Sequence, residues 1–420
     1  MKQPYSGMHF LWYKEKEKRR NEMDRLILKK AQAEELVRKY GSPLYIYEEE
    51  ILRTRCREVK NLLPLAEYRP QYSAKANSNI ELLKIIREEG LNVDAMSPGE
   101  VVQEMAAGYE NEQIMYCCGN MSEEEMKYAH DHAGLVILDS LSQLDRYGSL
   151  FPGSEAGIRV NPGIGAGHDV KVITGGKTKF GVLRKDLNKV NQILRKHSMK
   201  LIALHEHVGS LFLDDTVFLK AAELLLETAE QFPDVRVLDF GGGLGVPYQG
   251  ENRLDLNGLG RRLTDLIVSS EKKTGRAYEI RIEPGRYLSA ECSMLVGTVT
   301  DIKESGGVKY LGTDIGFNVL LRPVLYHAHH RIHGYSDSEK EEVYTVCGNL
   351  CESGDILAEG EKLPCMRIGD LIGIENAGAY GYSMSSDYNG RLRPAEVLLS
   401  AGTDRLIRKR ESLEDLVHQI

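Results

Sequence analysis

Cysteine is scarce and unpatterned: seven residues in a chain of 420, at positions 56, 117, 118, 292, 347, 351 and 365, with no C-x-x-C spacing. That excludes a zinc ribbon and a disulfide framework. No apolar run approaches the ~20 residues that a membrane-crossing helix needs. There is no surplus of positive charge either, since 54 basic residues face 62 acidic ones for a net −8. Nucleic acid is therefore disfavoured as a partner, although a small cationic pocket for phosphate or carboxylate is not. No repeat or low-complexity segment stands out. The opening MKQPYSGMHFLWYKEKEKRR has its charges after a short apolar patch and no small-residue cleavage site, which argues against a secretory signal. The expectation is a cytoplasmic enzyme with a leader over residues 1–22, or a true start at Met23.

The composition, 42% hydrophobic and 28% charged, is that of a globular protein, and the length calls for more than one small core. Eight short β-branched or apolar runs recur, at 68–75, 92–97, 114–119, 135–140, 157–162, 202–209, 235–243 and 279–286. Helical stretches lie between them. ELLKIIREEG at 81–90 repeats its apolar residues at spacings of three and four and stops at Gly90. Eight such units predict a (β/α)8 TIM barrel, with its active site at the C-terminal ends of the strands. Lys75, Asp94, Ser97, Asn161, His207, Gly241 to Gly243, Glu283 and Arg286 fall there. After about residue 287 the texture turns to strands joined by Gly and Asp turns, predicting a β domain, either a Greek-key barrel or a sandwich. The predicted division is 1–40 for leader and helix, 41–286 for the barrel and 287–420 for the β domain, with the strand near 44–50 joining the latter.

Several segments carry chemistry. Lys75 in YSAKANSN ends a strand; a lysine partly desolvated at a barrel mouth can form a Schiff base, although most lysines are solvated surface charges. DFGGGLGVPY offers bare backbone N–H groups for a phosphate, or simply a tight turn, and does not fit G-x-G-x-x-G. Glu283 in IEPGRY could bond the protonated ring nitrogen of pyridoxal phosphate, or be a salt-bridged turn. HEHVGS places His205 and His207 on one strand face, which suits a metal pair, but ligands at the other strand ends are missing. An imidazole over a flat ring, with Ser210 donating to phosphate, fits better. Cys351 in CESGD lies beside two acids that would keep its thiol protonated, as a proton donor requires. HAHH at 327–330 is a weak metal motif without support nearby.

Taken together, the chain from about Gly41 to Arg410 resembles the pyridoxal-phosphate decarboxylases of the alanine-racemase-like fold. The resemblance rests on YSAKAN, VDAMSPGE, RVNPGIGAGHDVKVITGGKTKFG, HEHVGS, GGGLGVPY, EPGRYL, GFNVLLRPVLY, CESGD and GAYGYSMSSDYNGRLRPAEVL, in the family's order. It implies pyridoxal 5'-phosphate on Lys75, Glu283 on the pyridine nitrogen and His207 stacked on the ring. Ser210, Gly241, Gly242, Gly243, Gly285, Arg286 and Tyr380 would surround the cofactor, with Arg159 near its ring side. It further implies Cys351 as proton donor and a homodimer in which Cys351 and Glu352 enter the partner's site.

The same resemblance implies a substrate with two amino-acid heads. Arg286, Arg322, Tyr326 and Tyr380 would hold its distal end and Glu352 its distal ammonium, so the expected reaction converts meso-2,6-diaminopimelate to L-lysine and CO2, the last step of lysine biosynthesis. Decarboxylases of simple diamines have an aspartate after the cysteine and lack the Arg-Pro-x-x-Tyr arrangement. The chain departs from the pattern at Glu206, Val208, Asp387, Gly390 and HAHH, which keeps carboxynorspermidine, a D-amino acid or a carrier-bound aminoacyl group open as substrates. Racemases pair the ring nitrogen with arginine, so Glu283 and Cys351 argue against one. A cofactor-binding protein without catalysis would lose Lys75 or Cys351, and both are present. A zinc hydrolase remains a third reading, with no metal expected on the favoured one.

Overall fold

The computed structural model describes residues 25–167 and 169–418, so the expected leader lies outside the described residues. The chain enters through helix α1 (Lys30–Tyr40), strand β1 (Leu44–Glu48) and helix α2 (Glu49–Lys60). It forms two compact units, one running from Arg53 to Leu288 and the other made of the chain up to Leu52 and from Ser289 onward.

In the first unit, eight parallel strands pair in chain order among the described residues: β2 (Gln71–Ser73), β3 (Asn92–Ala95), β4 (Ile114–Cys118), β5 (Leu135–Leu138), β6 (Glu155–Asn161), β7 (Lys200–His205), β8 (Val237–Asp239) and β9 (Glu279–Arg281). The ring closes where Arg69 N–H donates to Ile280 O at 2.8 Å and Gln71 N–H to Ile282 O at 2.9 Å. Each strand lies within a run expected from the sequence or overlaps it.

The helices between them begin where side chains can satisfy orphaned backbone donors. Asn79, Ser97, Ser122, Ser140 and Asp255 each accept a backbone N–H from the first turn that follows, an interaction worth about 1 kcal/mol. Ser97 is thus a helix cap, although the sequence placed it among the chemically active residues. Helix α3 (Ile80–Glu88) buries Leu82, Leu83, Ile85 and Ile86, and the chain turns at Gly90 with φ +84°. Inside the barrel, Met115, Cys117, Leu135, Ile137, Ile202, Ala203 and Val237 form one apolar cluster. Gly157 is required beside it, since a Cβ there would stand 2.3 Å from Ile137 Cδ1.

The second unit is built on one nine-stranded, mostly antiparallel sheet. Its spine is β10 (Ser293–Ser305), whose first half pairs with both β1 and Leu371–Glu375 and whose second half pairs with Val308–Thr313. The register shifts between Val299 and Asp301. Strand β1 also pairs in parallel with Ala395–Ser400. Strand β1, within the run expected near 44–50 to join the β domain, has a hydrogen-bonded neighbour on both of its edges in this sheet. Among the described residues, no helix is long and apolar enough to cross a membrane.

Candidate active site

Lys75 stands just beyond β2 in a single helical turn, Ala74–Ala76, whose two alanines are buried. The turn is fixed from both sides. Tyr72 donates its hydroxyl to Asn77 O at 3.0 Å, Asn77 Oδ1 accepts from Asn79 N–H at 3.1 Å, and Ser73 Oγ donates to Asp94 at 3.0 Å. Gly285 lies against this turn, where a Cβ would come within 2.9 Å of Ala76 Cβ.

The ends of β7, β8 and β9 bring three buried ionisable groups together. His205 Nε2 lies 3.2 Å from Glu283 Oε2, and Asp239 Oδ1 and Oδ2 accept from Gly241 N–H at 2.8 Å and Gln71 Nε2 at 2.9 Å. Burial pushes the Asp94 and Asp239 carboxyls far up, and the Glu283 charge pushes them further. Burial acts on Glu283 in the same sense, but His205, Lys75 and Arg159 outweigh it and hold its carboxyl below the usual value. The negative charge therefore resides on Glu283 while its acidic neighbours stay neutral. Glu283 Oε1 is buried without a hydrogen-bond partner, which suits a cationic N–H donor such as a protonated pyridine nitrogen. His205, Asp239 and Glu283 also have ligand atoms within 4.8 Å of one another. Both Asp239 oxygens are already engaged and His205 is bonded to Glu283, so the donor set favours an N–H guest over a metal.

The segment after β7 corrects one expectation. The strand ends at His205, so His207 lies beyond it and the two imidazoles do not share a strand face. His207 Nδ1 accepts from Gly242 N–H at 3.1 Å, and burial, then Lys75 and Arg159, push its pKa well below the usual value. It is a neutral ring with its hydrogen on Nε2. The glycine run is packed too tightly for any side chain: a Cβ on Gly241, Gly242 or Gly243 would stand 2.3, 2.1 or 2.4 Å from a backbone oxygen. Arg286 is buried, with Nη2 donating to Ser210 Oγ and Nη1 to Tyr248 Oη, both at 3.1 Å. Arg159 lies 4.5 Å over the Phe180 ring, with Nη1 3.7 Å from Asp139 and Nη2 buried without a partner.

The barrel mouth thus gathers Lys75, Glu283, His207, Ser210, Gly241, Gly242, Gly243, Gly285 and Arg286. The remaining site candidates, Arg322, Tyr326, Cys351, Glu352 and Tyr380, belong to the β unit. Arg322 is buried, Tyr326 and Tyr380 are half-buried, and Tyr380 adopts φ +57°. Cys351 and Glu352 are exposed. Their loop is held by the segment in which the sequence departs from the family pattern at Asp387 and Gly390: Asn389 Oδ1 accepts from Cys351 N–H at 2.9 Å, Tyr388 donates to Glu352 Oε1 at 2.5 Å, and Arg391 donates to Asn349 O at 3.0 Å. Sequence reading also passed over Asp239, although strand alternation from Val237 points it inward with the barrel filling.

A (β/α)8 barrel with a lysine after its first strand, an ionised carboxylate holding one oxygen open and a glycine-lined loop beside a serine defines a pyridoxal 5'-phosphate enzyme. Residues 49–290 match the family described as the pyridoxal-dependent decarboxylase, pyridoxal binding domain. The chain is 38% identical to the diaminopimelate decarboxylase of Methanothermobacter thermautotrophicus, over 94% of this chain and 96% of that one. It is 33% identical to the Escherichia coli K12 diaminopimelate decarboxylase, over 92% and 96%. The crystal structure of the Helicobacter pylori diaminopimelate decarboxylase complexed with L-lysine superposes with a TM-score of 0.86 at 31% identity, covering 92% of this chain and 98% of that one. The chain belongs to the pyridoxal-dependent decarboxylases and is a pyridoxal-phosphate-dependent carboxy-lyase.

Proposed function

We propose that the enzyme decarboxylates meso-2,6-diaminopimelate to L-lysine and CO2, closing lysine biosynthesis. The observation that carries the chemistry is the buried, ionised Glu283 with one unpartnered oxygen. The choice of substrate rests on the near-full-length relatives that act under that name, and on Arg322 and Glu352.

When bound, pyridoxal phosphate supplies an electron sink for the pair left behind by CO2. Lys75 would hold it through its side-chain amine. Glu283 would accept the ring N–H and favour its protonated form, and His207 would offer the ring a neutral neighbour. Gly243 N–H, Ser210 and Tyr380 would donate to the phosphate, Gly241 and Gly242, whose N–H groups are taken by Asp239 and His207, would shape the loop, and Arg286 would stand behind Ser210. Arg322 and Tyr326, with Arg286, hold the distal carboxylate, and Glu352 accepts from the distal ammonium. The Cys351 thiol then delivers a proton to the carbon that lost CO2.

Exposed Cys351 and Glu352 on an ordered loop support a homodimer in which each subunit lends this loop to its partner's barrel. Seven free thiols support a reducing, cytoplasmic setting. The test is CO2 release and amine formation by the cofactor-loaded protein given meso-diaminopimelate, L-ornithine, L-lysine, L-arginine or carboxynorspermidine. Lysine from diaminopimelate alone is expected. Silence there with turnover of another acid would move the specificity and overturn the assignment.

A further inference from the structure

The HAHH run folds back on Arg322. The short helix Arg322–Tyr326 ends at His327, whose backbone is left-handed at φ +50°. That turn lets Ala328 N–H reach Arg322 O at 3.4 Å and brings the His330 ring to the Arg322 side chain. His330 Nε2 lies 2.7 Å from Arg322 Nη1, and His330 Nδ1 lies 2.9 Å from Glu375 O. An arginine only donates and a carbonyl only accepts, so the tautomer follows: Nδ1 carries the hydrogen and Nε2 accepts. Arg322 is 1% exposed and His330 3%. The anchor is itself fixed, because the Glu375 carboxylate meets His333 at 2.5 Å and Arg25 at 3.1 Å.

We propose that His330 is a positioning residue that aims Arg322 at the substrate's distal carboxylate. This rests on the role given to Arg322 above. A ring nitrogen is suited to the task for an electrostatic reason. An aspartate or glutamate in its place would neutralise the guanidinium and compete with the incoming carboxylate. A neutral imidazole fixes one arm of the fork without adding a negative charge beside it.

The experiment uses the cofactor-loaded enzyme with His330→Asn, His330→Gln and Arg322→Leu. Asparagine reaches Glu375 O, the partner of Nδ1, but not Arg322; glutamine reaches Arg322 with its amide oxygen. Calorimetry with L-lysine, which keeps the distal carboxylate, and cadaverine, which lacks it, is run beside steady-state kinetics on meso-diaminopimelate. His330→Asn is expected to weaken L-lysine and raise KM about tenfold, with kcat and cadaverine binding little changed, and His330→Gln to stay near wild type. If Asn and Gln variants bind L-lysine alike while Arg322→Leu weakens it, the positioning role falls and the substrate reading stands. If Arg322→Leu leaves L-lysine binding unchanged, both fall. Equal losses for L-lysine and cadaverine would show a merely structural histidine and also overturn the proposal.

Discussion

The barrel mouth and the β unit assemble their functional groups in opposite ways. At the mouth, Glu283, His205, Asp239 and the glycine run join one hydrogen-bonded core within a single unit. In the β unit, Arg322 is buried behind His330, whereas Cys351 and Glu352 stand exposed on a loop. At the mouth the ionisable groups are locked into a core; in the β unit the loop proposed to meet the distal ammonium and return a proton is presented outward. Such an arrangement lets specificity change without disturbing the electron sink.

The largest effect that would sharpen this contrast comes from Lys75→Ala. It should lower kcat by about 10^4-fold or more and leave no cofactor absorbance after dialysis; a persisting visible band would break the assignment. Glu283→Gln comes next, with kcat down about 10^3-fold and a changed spectrum of the retained cofactor. Cys351→Ala should lower kcat about 10^2-fold with cofactor content and spectrum intact, because the loop lies outside the cradle. Unchanged turnover would remove its proton-donor role. Mixing the Lys75→Ala and Cys351→Ala proteins tests whether the loop serves the partner. Random reassortment makes half the dimers mixed, each with one intact site, so about one quarter of wild-type activity should return. No recovery would mean that each subunit uses its own loop.

The smallest effect concerns stability in the barrel wall. Glu104 is fully buried and burial pushes its carboxyl up to about 9, so the fold holds it neutral while the unfolded chain ionises near the usual value. A raised acid costs stability as pH climbs from the unfolded pKa to the folded one. Glu104→Met should therefore raise Tm by a few degrees at pH 8, with the gain shrinking toward pH 5 and kcat unchanged. A gain independent of pH would show that ionisation is not its cause.

The barrel was legible because its signals are local. Each strand is a short apolar run, and each helix start such as Ser122 or Ser140 needs only the next three residues. Lys75, Glu283 and the glycines were legible because strand ends concentrate reactive residues. Less visible were roles created by distance in sequence. His330 meets Arg322 only because the chain reverses at His327, so HAHH resembled a metal motif. Tyr388 and Asn389 matter through a loop almost forty positions away, and nothing local announces that. Strand β1 is another pairing across a long stretch of sequence, since both of its neighbours in the sheet follow the whole barrel.

That last pairing has a consequence for synthesis. Strand β1 emerges among the first segments of the chain, yet one of its two edges is completed only by Ala395–Ser400, near the end. The whole barrel is translated in between. At about 5–20 residues per second, β1 waits tens of seconds on the ribosome with an unpaired, apolar backbone edge, while the barrel can already close behind it. The enzyme's second unit thus cannot complete this edge until Ala395–Ser400 has been made, well after the barrel's own strands.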